Sequence, residues 1–71
     1  MLYILKIKGT LKIPDFVQIR DEQMTLVAYF RLNQIQQGLK KNGLEEDTQG
    51  ITALLEKIPY GKINKYFRED E

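Results

Sequence analysis

From residue 2 to residue 20, apolar and polar side chains alternate. Tyr3, Leu5, Ile7, Leu11, Ile13, Val17 and Ile19 are apolar, while Lys6, Lys8, Thr10, Lys12, Gln18 and Arg20 are polar. Among the even positions Ile4 and Phe16 are exceptions. A period of two predicts a half-buried β ribbon over about 2–20, with odd positions on a core and even positions in water. Gly9-Thr10 suggests a turn, but a two-residue loop would pair Ile7 with Lys12 and mix the two faces. A loop over Gly9 to Leu11 pairs Ile7 with Ile13 and keeps them apart. The pattern therefore predicts a three-residue hairpin or a long strand broken at Gly9, with Pro14 at an edge or an end.

The period changes after Arg20. Met24, Val27, Ala28, Leu32, Ile35 and Leu39 form one stripe at helical spacing, which predicts a single long helix over about 22–42. Asp21 is placed to cap its start, and Glu22 complements the positive helix end. Lys40 and Lys41 occupy the last turn, and Gly43 followed by Leu44 predicts a left-handed stop. A rival reading makes "MTLVAYFRL" a strand and starts a shorter helix at Asn33. The unbroken stripe, and the lack of Gly or Asn in "RDEQM", favour one helix. Ile51, Leu54, Leu55 and Ile58 stand at i, i+3, i+4 and i+7, predicting a second, short helix over about 48–57. Asp47 or Thr48 is expected to cap it and Pro59 to end it, before a turn at "IPYG". Residues of about 60–68 close the fold, and their pattern suits strand and helix equally.

The sum is a single α+β domain over residues 1–71. At 71 residues the chain is near the lower size for burying a useful core. It has no cysteine to staple that core, so association is a natural source of stability. Histidine and serine are absent too, which removes the usual general base and the commonest hydroxyl nucleophile. These gaps point away from an enzyme, and no motif calls for a cofactor or metal. A net charge of +1 gives no global pull towards nucleic acid or membrane. No apolar run reaches the length of a membrane span and no leader is visible, so a cytoplasmic protein is expected.

Two surfaces could carry function. "MTLVAYF" is apolar almost all round, and Leu26 and Phe30 lie opposite the stripe with Tyr29 on a third side. Leu26, Tyr29 and Phe30 are therefore the candidate interface, to be covered by a second copy or another protein. The second surface is basic. Lys6, Lys8, Lys12 and Arg20 on the ribbon, with Lys62, Lys65, Tyr66 and Arg68 in "KIPYGKINKYFREDE", could contact phosphates and stack bases. Packing accounts for those aromatics more simply, and the acidic residues Glu69, Asp70 and Glu71 would repel phosphates. The helix pair fails the spacing of a helix-turn-helix: Leu39 stands where a small residue is needed, and Gln49 and Thr52 where apolar ones are. Glu45, Glu46 and Asp47 read as a solvated capping loop, since three consecutive carboxylates do not converge on one ion.

The segments "YILKIKG", "PDFVQIR" and "NQIQQGLKKNG" resemble short cyanobacterial or plastid proteins of unassigned function. The resemblance spans about the first 43 residues and rests on no chemical motif. It implies a lineage and a single long helix, and no activity. The expected function is a small non-catalytic interaction or accessory protein, acting through apolar contacts of the long helix and self-associating, most simply as a homodimer. The alternative is a nucleic-acid-binding module that uses the basic ribbon face and the C-terminal segment.

Overall fold

A computed structural model describes residues 1–68; the acidic residues Glu69, Asp70 and Glu71 lie outside the described residues. The architecture is α+β in two layers. Strands β1 (Leu2–Ile7), β2 (Phe16–Arg20) and β3 (Leu26–Arg31) are followed by helices α1 (Ile35–Lys41) and α2 (Thr48–Lys57), and strand β4 (Ile63–Tyr66) closes the chain. A 3₁₀ turn leads into each helix, at Leu32–Gln34 and Glu45–Asp47. The sheet is antiparallel throughout in the order β3-β2-β1-β4, so β1 is interior although it comes first in the chain. Both helices lie over one face. Ile4, Val17, Ile19, Ala28 and Phe30 from the sheet meet Leu39, Ile51, Leu55 and Ile58 in one core.

The ribbon forms, but not with the faces that alternation predicts. Ile4 pairs with Ile19 and Lys6 with Val17, while Leu5 pairs with Gln18, so every partnership joins residues of opposite parity. The loop between the strands shifts the phase by one, and such a slip exchanges the faces of a whole strand. In β1 the even positions Leu2, Ile4 and Lys6 face the helices, and Ile4, out of step in the sequence, is fully buried at 0% exposure. Tyr3, Leu5 and Ile7 turn to the other face and are half-buried. No three-residue hairpin at Gly9 forms. Residues 8–15 make a longer loop in which Thr10 N–H donates to Ile13 O at 2.8 Å, and Leu11 and Ile13 are exposed. Pro14 precedes β2 and needs no ladder bond there.

Lys6 explains how a polar residue takes a core-facing position. Its Nζ donates to Leu55 O at 2.8 Å and lies 4.6 Å from the centre of the Tyr60 ring. Leu55 belongs to the last turn of α2, whose carbonyls lack helical partners and carry the negative end of the helix dipole. The stem crosses the core edge while the ammonium finds an oxygen and a π face.

The long helix over 22–42 is corrected to a turn, a strand and a shorter helix. Met24 sits at φ 64°, a left-handed conformation that no helix interior accepts. Asp21, expected as a helix cap, instead closes this turn: its Oδ1 accepts from Gln23 N and Thr25 N, each at 2.9 Å. The same short carboxylate chemistry serves turns and helix starts alike. "LVAYF" then enters the sheet, where β-branched and aromatic side chains suit the pleat. Alternation is masked because β3 is bulged: the register with β2 shifts between Ile19 and Arg20, so Leu26 pairs Arg20 while Ala28 pairs Ile19.

Elsewhere the predicted punctuation forms. Leu44 N–H donates to Leu39 O at 2.8 Å and Gly43 N–H to Lys40 O at 3.3 Å, with Gly43 at φ 75°. That is the paired bonding of a Schellman stop, completed by apolar contact between its ends. Helix α2 spans the residues its spacing predicts, though Asp47 at its N-cap makes no capping bond. The closing segment is a strand, at Ile63–Tyr66. Helix α1 approaches β3 at Gly38, where an added Cβ would overlap the Phe30 ring. Gly50 of α2 stands against Tyr66 in the same way.

Candidate functional site

With both helices on one side, the other face of the sheet has no covering layer among the described residues. Register assigns its side chains: Tyr3, Leu5 and Ile7 from β1, Phe16, Gln18 and Arg20 from β2, Leu26, Tyr29 and Arg31 from β3, and Ile63 and Lys65 from β4. Leu26 is 47% exposed, Tyr29 50% and Ile63 56%. Phe16 and Tyr29 stack in parallel, their ring centres 4.7 Å apart. Arg20 is held flat by donating Nη1 to Met24 O at 2.9 Å, which also fixes the β2–β3 turn beside the face. A shallow depression among Tyr3, Leu5, Gln18, Arg20, Met24 and Ile63 has room for about one water.

The face is largely apolar around a central Gln18, and it is cationic where it is charged. Arg20, Arg31 and Lys65 are its charged strand residues, and no carboxylate stands at any strand position on it. Antiparallel sheets commonly leave one face in water, but that face is normally polar. Here the stripe Leu5, Ile7, Phe16, Leu26, Tyr29 and Ile63 is the kind of contiguous apolar surface that marks a contact site.

The candidate interface from the sequence is divided by this geometry. Leu26 and Tyr29 lie on the open face, whereas Phe30 points into the core at 7% exposure against Gly38 and is removed from the candidate set. The candidate anion-binding residues are scattered. Lys6 caps α2, and Lys8 lies 5.7 Å from the Tyr60 ring. Lys12 is in the exposed loop, where its backbone N–H donates to Thr10 Oγ1 at 3.4 Å. Tyr66 packs against the core, and Arg68 pairs with the buried Asp47 carboxylate at 2.8 Å. Lys62 is exposed in the turn before β4. Only Arg20 and Lys65 share the open face. Arg31 joins them there, a residue the helical reading left without a role.

At the end of the sheet near α2, four side chains gather: Lys6, Lys8, Asp15 and Tyr60. Asp15 Oδ2 accepts from the Tyr60 hydroxyl at 2.6 Å and Oδ1 from Gly9 N–H at 2.7 Å. The Tyr60 hydrogen bond, then that of Gly9, holds the Asp15 carboxyl below its ordinary pKa, with Lys8 and Lys6 assisting. The same bond pushes the Tyr60 phenol above its ordinary value. A phenol kept protonated is no nucleophile, and the cluster ties the 8–15 loop to the turn before β4. The hollow beside α1, about 460 Å³, is lined by Leu32, Asn33, Gln34, Ile35, Gln36, Gln37 and Thr52, none of which titrates near neutrality. Among the described residues no three carboxylate, imidazole or thiol side chains gather where they could hold a metal ion. No helix among them is long and apolar enough to cross a membrane.

No family model matches the chain, and no curated protein or solved structure is similar to it.

Proposed function

We propose that this chain is a non-catalytic interaction protein that takes hold of a partner protein through the open face of its sheet. The observation that carries this reading is the face itself: an apolar stripe bends around Gln18 at its centre, with Arg20, Arg31 and Lys65 as its charged strand residues. The contact surface is thus a sheet face rather than the surplus side of a long helix. Four strands spaced about 4.8 Å apart give a platform roughly 15–20 Å across, wide enough for one helix of about 10–12 Å diameter. The fitting occupant is an amphipathic helix with an apolar stripe and carboxylates along its margins, by charge complementarity with the three cations. Face-to-face pairing of two copies fits less well, since it would set cations against cations.

Nucleic acid is the competing occupant, because Tyr3, Phe16 and Tyr29 share the face with these cations. Base-stacking platforms need aromatic faces turned to solvent. Here Phe16 and Tyr29 use theirs on each other, and the aliphatic side chains Leu5, Ile7, Met24, Leu26 and Ile63 offer bases nothing to stack on. Titration against three probes separates the readings: a glutamate-rimmed amphipathic peptide, the same peptide with lysine rims, and a single-stranded oligonucleotide. The expected result is binding of the acidic peptide alone, with NMR shifts centred on Leu5, Phe16 and Ile63 and abolished by Ile63→Lys. Binding of the oligonucleotide with a steep loss in salt would overturn it in favour of nucleic acid, and equal response to both peptides would overturn it outright.

A further inference from the structure

The two edges of the sheet are not alike. Edge strand β4 is four residues long and its sequence is polar between the ends, Ile63-Asn64-Lys65-Tyr66, with Lys62 just before it. Short length and lysines are the usual means by which a sheet edge is kept from pairing. Edge strand β3 has neither. It runs six residues, Leu26–Arg31, and the stretch "TLVAYF" into and along it holds no charge, proline or glycine. The bulge lies at its beginning, so Ala28, Tyr29, Phe30 and Arg31 are regularly paired to β2. Among the described residues, no backbone hydrogen bond from a turn, loop or helix reaches Leu26 to Arg31. One row of β3 main-chain donors and acceptors is therefore open, on a strand built for pairing.

From this edge we infer that two copies of the chain join through β3, antiparallel about a two-fold axis, into one continuous sheet. A second copy satisfies the edge better than a foreign strand, because an antiparallel strand pair is its own complement under two-fold rotation. The faces restrict the register. Partners across an antiparallel ladder share a face, so the axis must pass through a residue opposite its own copy rather than between residues. Placing Tyr29 opposite Tyr29 of the second copy overlaps the most strand while keeping both helix layers on one side. It sets Ala28 opposite Phe30 on the core side; regular pairing ends at the bulge residue Val27, which lies across from Arg31, so no like charges meet. A register centred on Ala28 would put core-facing Phe30 against Leu26 of the open face, and one centred on Phe30 would leave half the strand unpaired. The dimer also brings the Phe16–Tyr29 stacks of both copies side by side, extending the open face across the junction. Self-association at the edge and partner binding on the face are separate events, and either can fail without the other.

Because the chain contains no cysteine, single cysteines report on this junction directly. Cα atoms opposed across an antiparallel pair lie about 4.5–5.5 Å apart, within the range a disulfide spans. Sedimentation equilibrium of the full, unmodified chain is expected to give twice the monomer mass. On mild oxidation Tyr29→Cys is expected to cross-link, and Lys65→Cys, on the other edge, is not. Tyr29→Lys, which sets two lysines opposite each other at the axis, should return a monomer with unchanged circular dichroism, while Leu5→Lys and Ile63→Lys, on the face away from β3, keep the dimer. A monomer at every concentration overturns the inference. So does a dimer that survives Tyr29→Lys, or one that cross-links through residue 65 instead of 29.

Discussion

The covered and open faces of this sheet are both rich in apolar side chains, yet they are built by different rules. On the covered face the fit is close: Gly38 and Gly50 leave no room for a Cβ beside Phe30 and Tyr66, and a lysine is admitted only because Leu55 O and the Tyr60 ring receive it. On the open face Leu26, Tyr29 and Ile63 keep about half their surface in water, and the charged groups lie at its margins. Apolar composition therefore does not identify a core. Jigsaw contact does, and its absence beside similar composition marks a surface kept for another molecule.

The sharpest way to break this contrast is to put a carboxylate on each face of one strand. Ile4→Asp buries an unpaired charge and should cost several kcal/mol, enough to unfold so small a domain. Leu5→Asp, its neighbour, should cost about 1 kcal/mol or less and leave the fold intact. Denaturant melts of the two variants decide the matter, and equal losses would mean that both faces are core. A smaller effect tests packing alone. Gly38→Ala should gain up to about 1 kcal/mol of helix preference, yet the Cβ meets the Phe30 ring, a clash of about 1–3 kcal/mol. A net loss, partly restored by Phe30→Leu, is the expected outcome of chemical unfolding.

The mildest effect is at the rim where the faces meet. Asp15 has its pKa lowered from 3.8, so its contribution is present above that value and fades as pH falls through the lower folded value. Tyr60 has its pKa raised from 10.0, so its share is complete below that value and is lost as pH rises through the higher folded one. Asp15→Asn should lower the neutral plateau while leaving the acid and alkaline extremes little changed, which flattens the stability profile. Thermal melts across pH give the comparison, and a profile identical to the parent's would show that the bond to Tyr60 contributes nothing.

How far the sequence speaks depends on how local each determinant is. The Gly43 stop and the span of α2 are set within a few residues, by a left-handed glycine and by an i, i+3, i+4, i+7 stripe, and they can be read directly. The face of β1 is set by a loop. Whether Ile4 or Leu5 is buried depends on Ile7 meeting Phe16 rather than Ile13, and alternation alone cannot supply that. Lys6 misleads because its polarity lies at the end of a long apolar stem. The stretch "LVAYF" misleads because a strand half-covered on its second side is apolar at every position, as a buried helix would be. The rival strand reading with a helix after Asn33 had the right chemistry, but its signal, a positive φ at Met24, belongs to no residue type that advertises it. The open face could be found only once the register was known, since its members come from four separate strands.

The place of β1 in the sheet has a consequence for the order of events when the chain is made. Of the four strands β1 is made before the others and β4 after them, yet they are neighbours, Leu2 opposite Tyr66. β1, β2 and β3 can meet early through short connections, but β1 must wait with one edge unpaired until both helices and β4 have been made. Closing that contact carries the largest loop entropy in the fold and places it late, after the local hairpins. Until then the nascent domain offers two open edges, β1 and β3, with sequences well suited to pairing. Loss of β4 would make that transient state permanent, so the few C-terminal residues of the sheet act as the lock on its first strand.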